Sequence, residues 1–338
     1  MVNVTHHVTL IPGDGIGPEV ATATKRAVDQ SGATIEWEQV ELNADIIMET
    51  REVLPANVIA SLARTRVGLK GPVTTPIASG FSSVNVALRK ALDLFANVRP
   101  VHSLPGIKTR FMDVAIDMII FRENTEDLYA GIEHEVVKDV VTGLKVITRT
   151  ASMRIAKYAF EYARRHGRKK VTAIHKANIM KLADGLFLRC CREVAQEFPE
   201  MQYKELIVDN ASMQLVMRPE TFDLLLLPNL YGDIVSDLAA GLVGGLGVVP
   251  GANMGTEYAV FEAVHGSAPD IAGLGVANPT ALMLSAVMML RHLGEVDAAA
   301  RLQGAVERVY AEGTHVTRDI GGVASTREFT DAVIRCMK

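Results

Sequence analysis

The sequence predicts an α/β protein built around a largely parallel sheet, and two stretches carry the prediction. Leu224-Leu-Leu-Leu227, bounded by Asp223 and Pro228, has the unbroken apolar character of a strand covered on both faces, and it runs into a turn and then a helix-compatible segment holding Asp233 and Asp237. Near the start, Val8-Thr-Leu-Ile11, Pro12-Gly-Asp-Gly-Ile-Gly17 and Pro18 read as strand, glycine turn and a helix with proline near its first position. With 338 residues, 49% hydrophobic and 22% charged, the chain can bury the core of one large or two ordinary domains. No segment approaches the roughly eighteen uninterrupted apolar residues of a membrane-crossing helix.

A net charge of −4 leaves no electrostatic footprint for nucleic acid, although a local basic cleft for a small anion is compatible with it. Three cysteines, two of them adjacent at Cys190-Cys191, form neither a disulfide framework nor a C-x-x-C pair, which points to a reducing compartment. The start reaches its first strand by Val8 without a basic-then-apolar leader. The expectation is therefore a cytoplasmic protein, or a matured organelle-matrix one, with neither nucleic acid nor membrane as a partner.

In chain order, the glycine turn comes first. Its spacing is G-x-G-x-G rather than G-x-G-x-x-G, and Glu36, Glu38 and Glu41 fall where an ordinary exposed strand face fits, so the Rossmann fingerprint is rejected. A tight turn and a different kind of cofactor loop both remain open. Gly71-Pro-Val-Thr-Thr-Pro76 is loop chemistry, and Ser82-Ser83 supplies an N-cap for a helix whose core stripe is Val84, Leu88, Ala91, Leu92 and Phe95. Its other side carries Asn85 and Arg89, one turn apart, with Arg99 just beyond in Asn97-Val-Arg-Pro100. A strand at Asp117 to Phe121 adds Arg122. One arginine is usually a surface residue, but three at element ends suit a ligand with several carboxylates, because the planar fork binds carboxylate bidentately.

Residues 131–148 read as two strands with a hairpin turn at Thr142-Gly143, an insertion of the kind that serves association. A helix follows from Ser152 to Arg165. Val171-Thr-Ala-Ile174 is a strand ending in His175-Lys176, a helix runs from about Asp184 to Phe198, and Leu206-Ile-Val208 delivers Asp209. Lys176 sits where strand-end residues serve α/β sites, though solvation explains most lone lysines. Asp233 and Asp237, four residues apart, share one helix face and can either hold a hard cation or complement a helix dipole. Gly241 to Gly251 is turn material. Val260-Phe261, the loop His265-Gly-Ser-Ala-Pro-Asp270, Asn278-Pro279 and two helices, about 280–292 and 296–312, complete the chain.

Six stretches in register, Ile11 to Glu19, Ser83 to Arg89, Arg122 to Glu126, His175 to Met180, Asn229 to Asp233 and His265 to Gly273, resemble the isocitrate and isopropylmalate dehydrogenase family, most of all its short NAD-dependent isocitrate enzymes. The resemblance implies a two-domain α/β fold that is not a Rossmann fold. The larger, cofactor-binding domain would comprise 1–98 and 248–338, the smaller one 99–247, and a β clasp at about 127–148 would join two protomers. It implies oxidation of isocitrate by NAD with loss of CO2 to give 2-oxoglutarate, dependent on Mg²⁺ or Mn²⁺; homoisocitrate or another substituted malate is the alternative substrate, and a regulatory chain of a hetero-oligomer the non-enzymatic alternative.

By the same resemblance Ser83, Asn85, Arg89, Arg99 and Arg122 bind substrate, and Asp233 and Asp237 hold the metal with Asp209 of a second protomer. Tyr129 is the acid that protonates carbon after CO2 leaves, its pKa brought toward neutrality by a cationic cleft, and Lys176 of the second protomer helps to remove a proton. His265, Gly266, Ser267, Ala268, Asp270, Ile271 and Asn278 would meet NAD. Asp270-Ile271 stands where NADP-using relatives have Lys-Tyr, so a carboxylate would accept from the ribose hydroxyls and repel a 2′-phosphate. The expected assembly is at least a homodimer with shared sites, and a tetramer is compatible.

Overall fold

The computed structural model describes residues 4–75 and 83–338; Pro76 and Ser82 lie outside them. Strands β1 (Thr5–Ile11), β2 (Thr34–Gln39), β3 (Val67–Lys70) and β12 (Ala259–Ala263) form one parallel block, and β5 (Asp117–Glu123), β10 (Leu224–Leu227), β8 (Lys170–His175) and β9 (Gln202–Ile207) form another. Two antiparallel strands, β11 (Pro250–Met254) and β4 (Ala96–His102), join the blocks into a ten-stranded sheet of order β2-β1-β3-β12-β11-β4-β5-β10-β8-β9. The antiparallel seam is incompatible with the all-parallel Rossmann order. The two blocks run antiparallel to each other across the seam, β12 ending level with Pro250 at one end of β11 and β5 ending level with Ala96 and Met254 at the other.

All four leucines of β10 are fully buried, as a strand covered on both faces requires. Helix α5 (Arg149–Arg165) covers one face of the second block, and α8 (Asn229–Val243) covers the other. Strand alternation separates them: Phe121 packs on Tyr158 and Tyr162 of α5, whereas its neighbour Arg122 bonds Asn229 and Asp233 of α8. On the first block, α1 (Gly17–Asp29), α9 (Thr280–His292), α10 (Val296–Glu312) and α11 (Thr326–Met337) pack together on one side. The other side is a separate apolar cluster in which Ile11, Leu62 and Val260 meet Leu88 and Leu92, seating α4 (Val84–Ala91) beside the seam. The remaining helices are α2 (Ala44–Thr50), α3 (Ala56–Thr65), α6 (Ala183–Ala195) and α7 (Val208–Met217).

The structure corrects several expectations. The insertion is a two-stranded ribbon, β6 (Glu133–Val137) and β7 (Val140–Gly143), but its turn is Lys138-Asp139, with Asp139 at φ 66°, and not Thr142-Gly143. The valines on either side of the turn pair, and the Leu144 to Ile147 stretch forms no strand, joining the rest by Leu144 N to Ile132 O at 2.9 Å and by an isolated bridge from Val146 to Asp127. Helix α5 starts three residues before Ser152 because the Thr148 hydroxyl caps Ala151 N. Ser83 occupies the N-cap of α4, yet its side chain caps nothing, and α4 stops short of Phe95. Gly241 lies inside α8, and α11, which the reading of the C-terminus omits, opens on a capping box between Ser325 and Glu328.

Candidate active site

Three guanidiniums converge at the seam. Arg89 comes from α4, Arg99 from β4 and Arg122 from the end of β5, and their residues are 6%, 7% and 1% exposed. Buried arginines need partners, and α8 supplies those of Arg99 and Arg122 from one face. Arg122 Nε donates to Asn229 Oδ1 at 2.9 Å and Nη1 to Asp233 Oδ1, while Arg99 Nη1 donates to Ser236 Oγ at 2.5 Å and to Asp237 Oδ1 at 3.1 Å. Tyr129, on a 3₁₀ turn after β5, stacks under Arg122 at 4.9 Å and donates to Asp233 Oδ2 at 2.5 Å. Sequence spacing foretold the shared face of Asp233 and Asp237; only the fold brings both to the arginines.

The charges shift the pKa values in opposing directions. Burial acts to raise Asp233, but Arg122 and the Tyr129 hydroxyl hold it below the usual carboxylate range. Asp237 is pushed up by burial and by the Asp233 charge, against the pull of Arg99. Burial, reinforced by Arg122 and Arg89, pulls Arg99 down to about 10, which leaves it charged at neutral pH. Tyr129 corrects the expectation of a depressed phenol: burial and its bond to Asp233 push it up, outweighing Arg122, so it keeps its proton.

Beneath Arg89 lies a buried network that the sequence reading missed. Lys70 Nζ at the end of β3 pairs with Glu262 Oε2 of β12 at 2.7 Å, and Glu262 Oε1 faces Arg89 at 3.5 Å. Asn253 Nδ2 donates to Glu262 Oε1 at 2.6 Å, and Asn97 and Asn124 donate to Asn253 Oδ1 at 2.8 and 3.0 Å. Burial acts to raise Glu262, but Lys70 and Arg89 overcome it and hold the carboxyl at about 2. The available signal was a lysine ending one apolar strand and a glutamate inside another, each a charge where only paired charges are found.

Above this network Lys70, Asn85, Arg89, Asn97, Arg99 and His265 face a small cavity of about 140 Å³. Five buried polar atoms on it, Asn85 Oδ1, Arg89 Nε, Asn97 Oδ1, Arg99 Nε and His265 Nε2, have no partner among the described residues, so the cleft is chemically fitted to a polar, anionic ligand. Asp233 and Asp237, hard oxygen donors whose mutual repulsion a cation would relieve, fit a divalent metal. Among the described residues no chain by itself brings three acidic, His or Cys side chains together for one.

Lys176 and Asp209 stand apart from this cluster. They follow β8 and the edge strand β9, the last two strands of the sheet, and Lys176 Nζ meets Asp209 Oδ1 at 2.6 Å, which lowers the exposed carboxyl. Asp184 fixes the Lys176 backbone N at 2.6 Å and also binds Lys145 Nζ at 2.6 Å, and Lys145 lies 3.6 Å from Asp127, whose Oδ2 holds Leu230 N at 2.9 Å. Asp127 and Asp184 are fully buried.

The loop from His265 to Ile271 leans on the glycine turn: Ile16 N donates to Ser267 O at 2.9 Å, and Thr74 Oγ1 lies 2.7 Å from Ser267 Oγ. Gly15 has φ 59°, and a Cβ there would stand 2.0 Å from Ser267 O, so its glycine serves close packing of two loops. Ala268 also takes a left-handed conformation, at φ 40°. Burial lowers His265, favouring the neutral ring. Gly266, Ala268 and Asp270 are exposed, Ile271 is 36% exposed, and Asp270 has no ion-pair partner among the described residues. Asn278 is different. It is buried, its Nδ2 is committed to Tyr310 Oη at 3.1 Å and Asp319 Oδ2 at 2.9 Å, and its Oδ1 holds Thr280 N, so its side chain is spent on packing and only its backbone could serve a cofactor.

The model of the isocitrate/isopropylmalate dehydrogenase family matches residues 7–333. The chain is 56% identical over 326 residues to a catalytic chain, number 5, of the mitochondrial NAD isocitrate dehydrogenase of Arabidopsis thaliana, covering 96% of this chain and 87% of that protein. It is 52% identical over 329 residues to a regulatory chain of the mitochondrial NAD isocitrate dehydrogenase of Dictyostelium discoideum, covering 97% and 91%. The crystal structure of isocitrate dehydrogenase from Methylococcus capsulatus superimposes with a TM-score of 0.95 at 47% identity, covering 98% of this chain and 99% of that one.

Proposed function

The chain belongs to the isocitrate/isopropylmalate dehydrogenase family, and from that premise and its cleft we propose how it performs NAD-dependent oxidative decarboxylation of isocitrate to 2-oxoglutarate and CO2. The single observation that carries the reading is a cavity lined by the buried guanidiniums of Arg89 and Arg99, with polar atoms unpartnered among the described residues, beside the Arg99–Asp237 and Arg122–Asp233 pairs. Arg89, Arg99 and Arg122 neutralise and orient the carboxylates of a tricarboxylate, with Asn85 and Ser83 at the mouth of α4 giving a polar wall that an isopropyl group would leave unsatisfied. Asp233 and Asp237 hold a divalent cation, Mg²⁺ or Mn²⁺. When bound, that cation would supply polarisation of the 2-hydroxyl and stabilisation of negative charge for the loss of CO2, with NAD as the hydride acceptor.

Tyr129 keeps its proton on Oη through the neutral range, which suits it to protonate the carbon that CO2 leaves; the Asp233 bond aims it. Lys176 and Asp209 act in the cleft of a second protomer. Asp209 begins a stripe on α7 that continues through Met213, Val216 and Met217, 49%, 51% and 63% exposed, and Lys176 is followed by Ile179 and Leu182, 66% and 86% exposed. A partner covering these apolar residues would receive both charged groups at once. The ribbon's Val136, Val137, Val140 and Val141, each about half or more exposed, offer the same partner a second contact. The relatives are named as components of enzymes with catalytic and regulatory chains. Here every substrate-binding position is filled, which favours a catalytic chain and, in the simplest assembly, a homodimer.

The division into 1–98 with 248–338 and 99–247 follows the two parallel blocks, the cleft opening at their seam. Free thiols at Cys190, Cys191 and Cys336 suit a reducing compartment, the cytoplasm or the matrix of the mitochondria that the relatives' names specify. Asp270, exposed on the loop and without an ion-pair partner among the described residues, would accept from ribose hydroxyls. The test is a comparison of kcat/KM with Mg²⁺ for isocitrate, homoisocitrate, isopropylmalate and malate, each with NAD and NADP. Isocitrate with NAD should exceed every other pair by about tenfold or more. A faster rate with another acid would refute the substrate, and no activity from the isolated chain would favour the regulatory reading.

A further inference from the structure

The residues of β4 that face the cleft, Asn97 and Arg99, alternate with Val98 and Pro100, which face the opposite side of the sheet. There α5 and α9 stand apart over β4, β5 and β11. Between them lies a groove with two lobes of about 330 and 420 Å³ that share Pro100, Tyr162, His166, Met288 and Arg291. Its floor is apolar, with Pro100, Ala252 and Phe261, and Tyr158 and Tyr162 form an aromatic wall.

The polar groups on this groove are mismatched in sign. Arg165 meets only the Glu161 carbonyl, at 3.4 Å, and Arg291 only the Gln303 amide oxygen, at 2.5 Å; neither has a carboxylate partner among the described residues. The acid on the lining, Asp117, is already bound by Arg168 at 2.7 Å. His292 adds further nitrogen at the rim, while His102 lies 3.7 Å from Asp117 and His166 stacks on Tyr162 with its Nδ1 2.9 Å from the Tyr162 carbonyl; the phenol oxygens of Tyr158 and Tyr162 make no hydrogen bond among the described residues. Burial pushes the Tyr158 hydroxyl up to about 12, so it remains a donor. An apolar floor, a tyrosine wall, free donors and two uncompensated guanidiniums are complementary to a flat ring bearing one negative group.

We propose that this groove binds an aromatic anion, a planar ring system carrying a carboxylate or phosphate, and that its occupancy is coupled to the catalytic cleft. The coupling follows from the sheet. The groove's two walls stand on the two parallel blocks, α9 on the first and α5 on the second, and the same seam strands carry the cleft on their other side. A ligand that props α5 away from α9 therefore alters the angle at which Arg89 and Glu262 of one block meet Arg122 and Asp233 of the other, and linkage requires the effect to be reciprocal.

The coupling clause rests on the isocitrate reading; the binding clause does not. Calorimetric titration of the assembled enzyme, held with Mg²⁺ and isocitrate but no NAD so that the cleft is occupied without turnover, would use 2-naphthoate and its neutral isostere 2-naphthamide. One saturable naphthoate site per chain is expected, with the amide bound about tenfold more weakly, and with Arg165→Glu plus Arg291→Glu reducing naphthoate affinity at least about tenfold. Both arginines lie outside the cleft, so the double variant should retain its kcat without ligand. Equal binding of acid and amide, undiminished binding by the variant, or no binding at all would overturn the site. With the site established, naphthoate should change the KM for isocitrate at least about twofold in the wild type and not in the variant; an unchanged KM would overturn the coupling.

Discussion

Glu262 shows how one side chain can hold a seam together. It is 7% exposed and faces two cations, Lys70 at 2.7 Å and Arg89 at 3.5 Å, so its folded-state pKa of about 2 lies well below the ordinary value. The sign follows from linkage. A depressed carboxyl pKa gives stability that is complete above the unfolded value and is lost as pH falls through the folded one, here from about 4.5 down to about 2. The effect is on the order of 3 kcal/mol. Glu262→Gln should lower stability at pH 7 by a few kcal/mol, because the buried Lys70 ammonium is left with the Gly71 carbonyl at 3.0 Å as its remaining partner. The same variant should flatten the acid limb. Urea midpoints measured from pH 6 to pH 2.5 check both; wild-type and variant curves that run parallel would show that Glu262 does not govern it.

Helix α8 presents Asp233 and Asp237, the carboxylates proposed to hold the metal, only because it can lie unusually close to β5. At Gly232 an added Cβ would stand 2.5 Å from Arg122 Cγ and 2.6 Å from Arg122 Cβ, contacts that no side chain tolerates without displacement. Gly232 is thus the point where helix and strand touch, one residue before Asp233. Gly241, nine residues on in the same helix, has nothing within 4 Å of an added Cβ. The two positions make a controlled pair. Gly232→Ala should cost about 1–3 kcal/mol through overpacking and reduce kcat/KM by about a hundredfold or more as Asp233 moves off Arg122 and Tyr129. Gly241→Ala should add about 0.5–1 kcal/mol from helix propensity and leave turnover unchanged. Thermal unfolding and steady-state rates on both variants test this, and a fully active Gly232→Ala protein would remove the close approach from the account.

At the scale of the molecule, the two parallel blocks make a cleft, but β8 and β9, the last two strands of the sheet, carry Lys176 and Asp209 away from it. Lys145 ties that edge to the cleft, because it bridges Asp184, which holds the Lys176 backbone, to Asp127, which holds the start of α8. If the cleft is completed by a second copy, mixing inactive Lys176→Ala with inactive Tyr129→Phe protomers should return activity through hybrid dimers with one intact site, at up to about a quarter of the wild-type rate per site for random mixing. The rate of an exchanged mixture, with hybrid formation verified by mass spectrometry, measures it. Hybrids without activity would mean that Lys176 does not serve its neighbour.

The sequence by itself determined whatever depends on local periodicity or on neighbours within a turn. The buried β10 strand, the shared face of Asp233 and Asp237, the arginines at element ends and the departure of the glycine turn from the Rossmann pattern were all legible, because each is set by spacing along one element. The family resemblance supplied the chemistry. The hairpin turn was misread at Thr142-Gly143 because composition favours glycine there, whereas the pairing register placed the reversal at Asp139. The Lys70–Glu262–Asn253 network, the close approach at Gly232 and the commitment of the Asn278 side chain to Tyr310 and Asp319 join residues far apart in the chain. Only tertiary structure decided those, since whether a buried charge is paired, and in which direction a phenol such as Tyr129 is shifted, depends on the dielectric and partners that strands distant in sequence assemble around it.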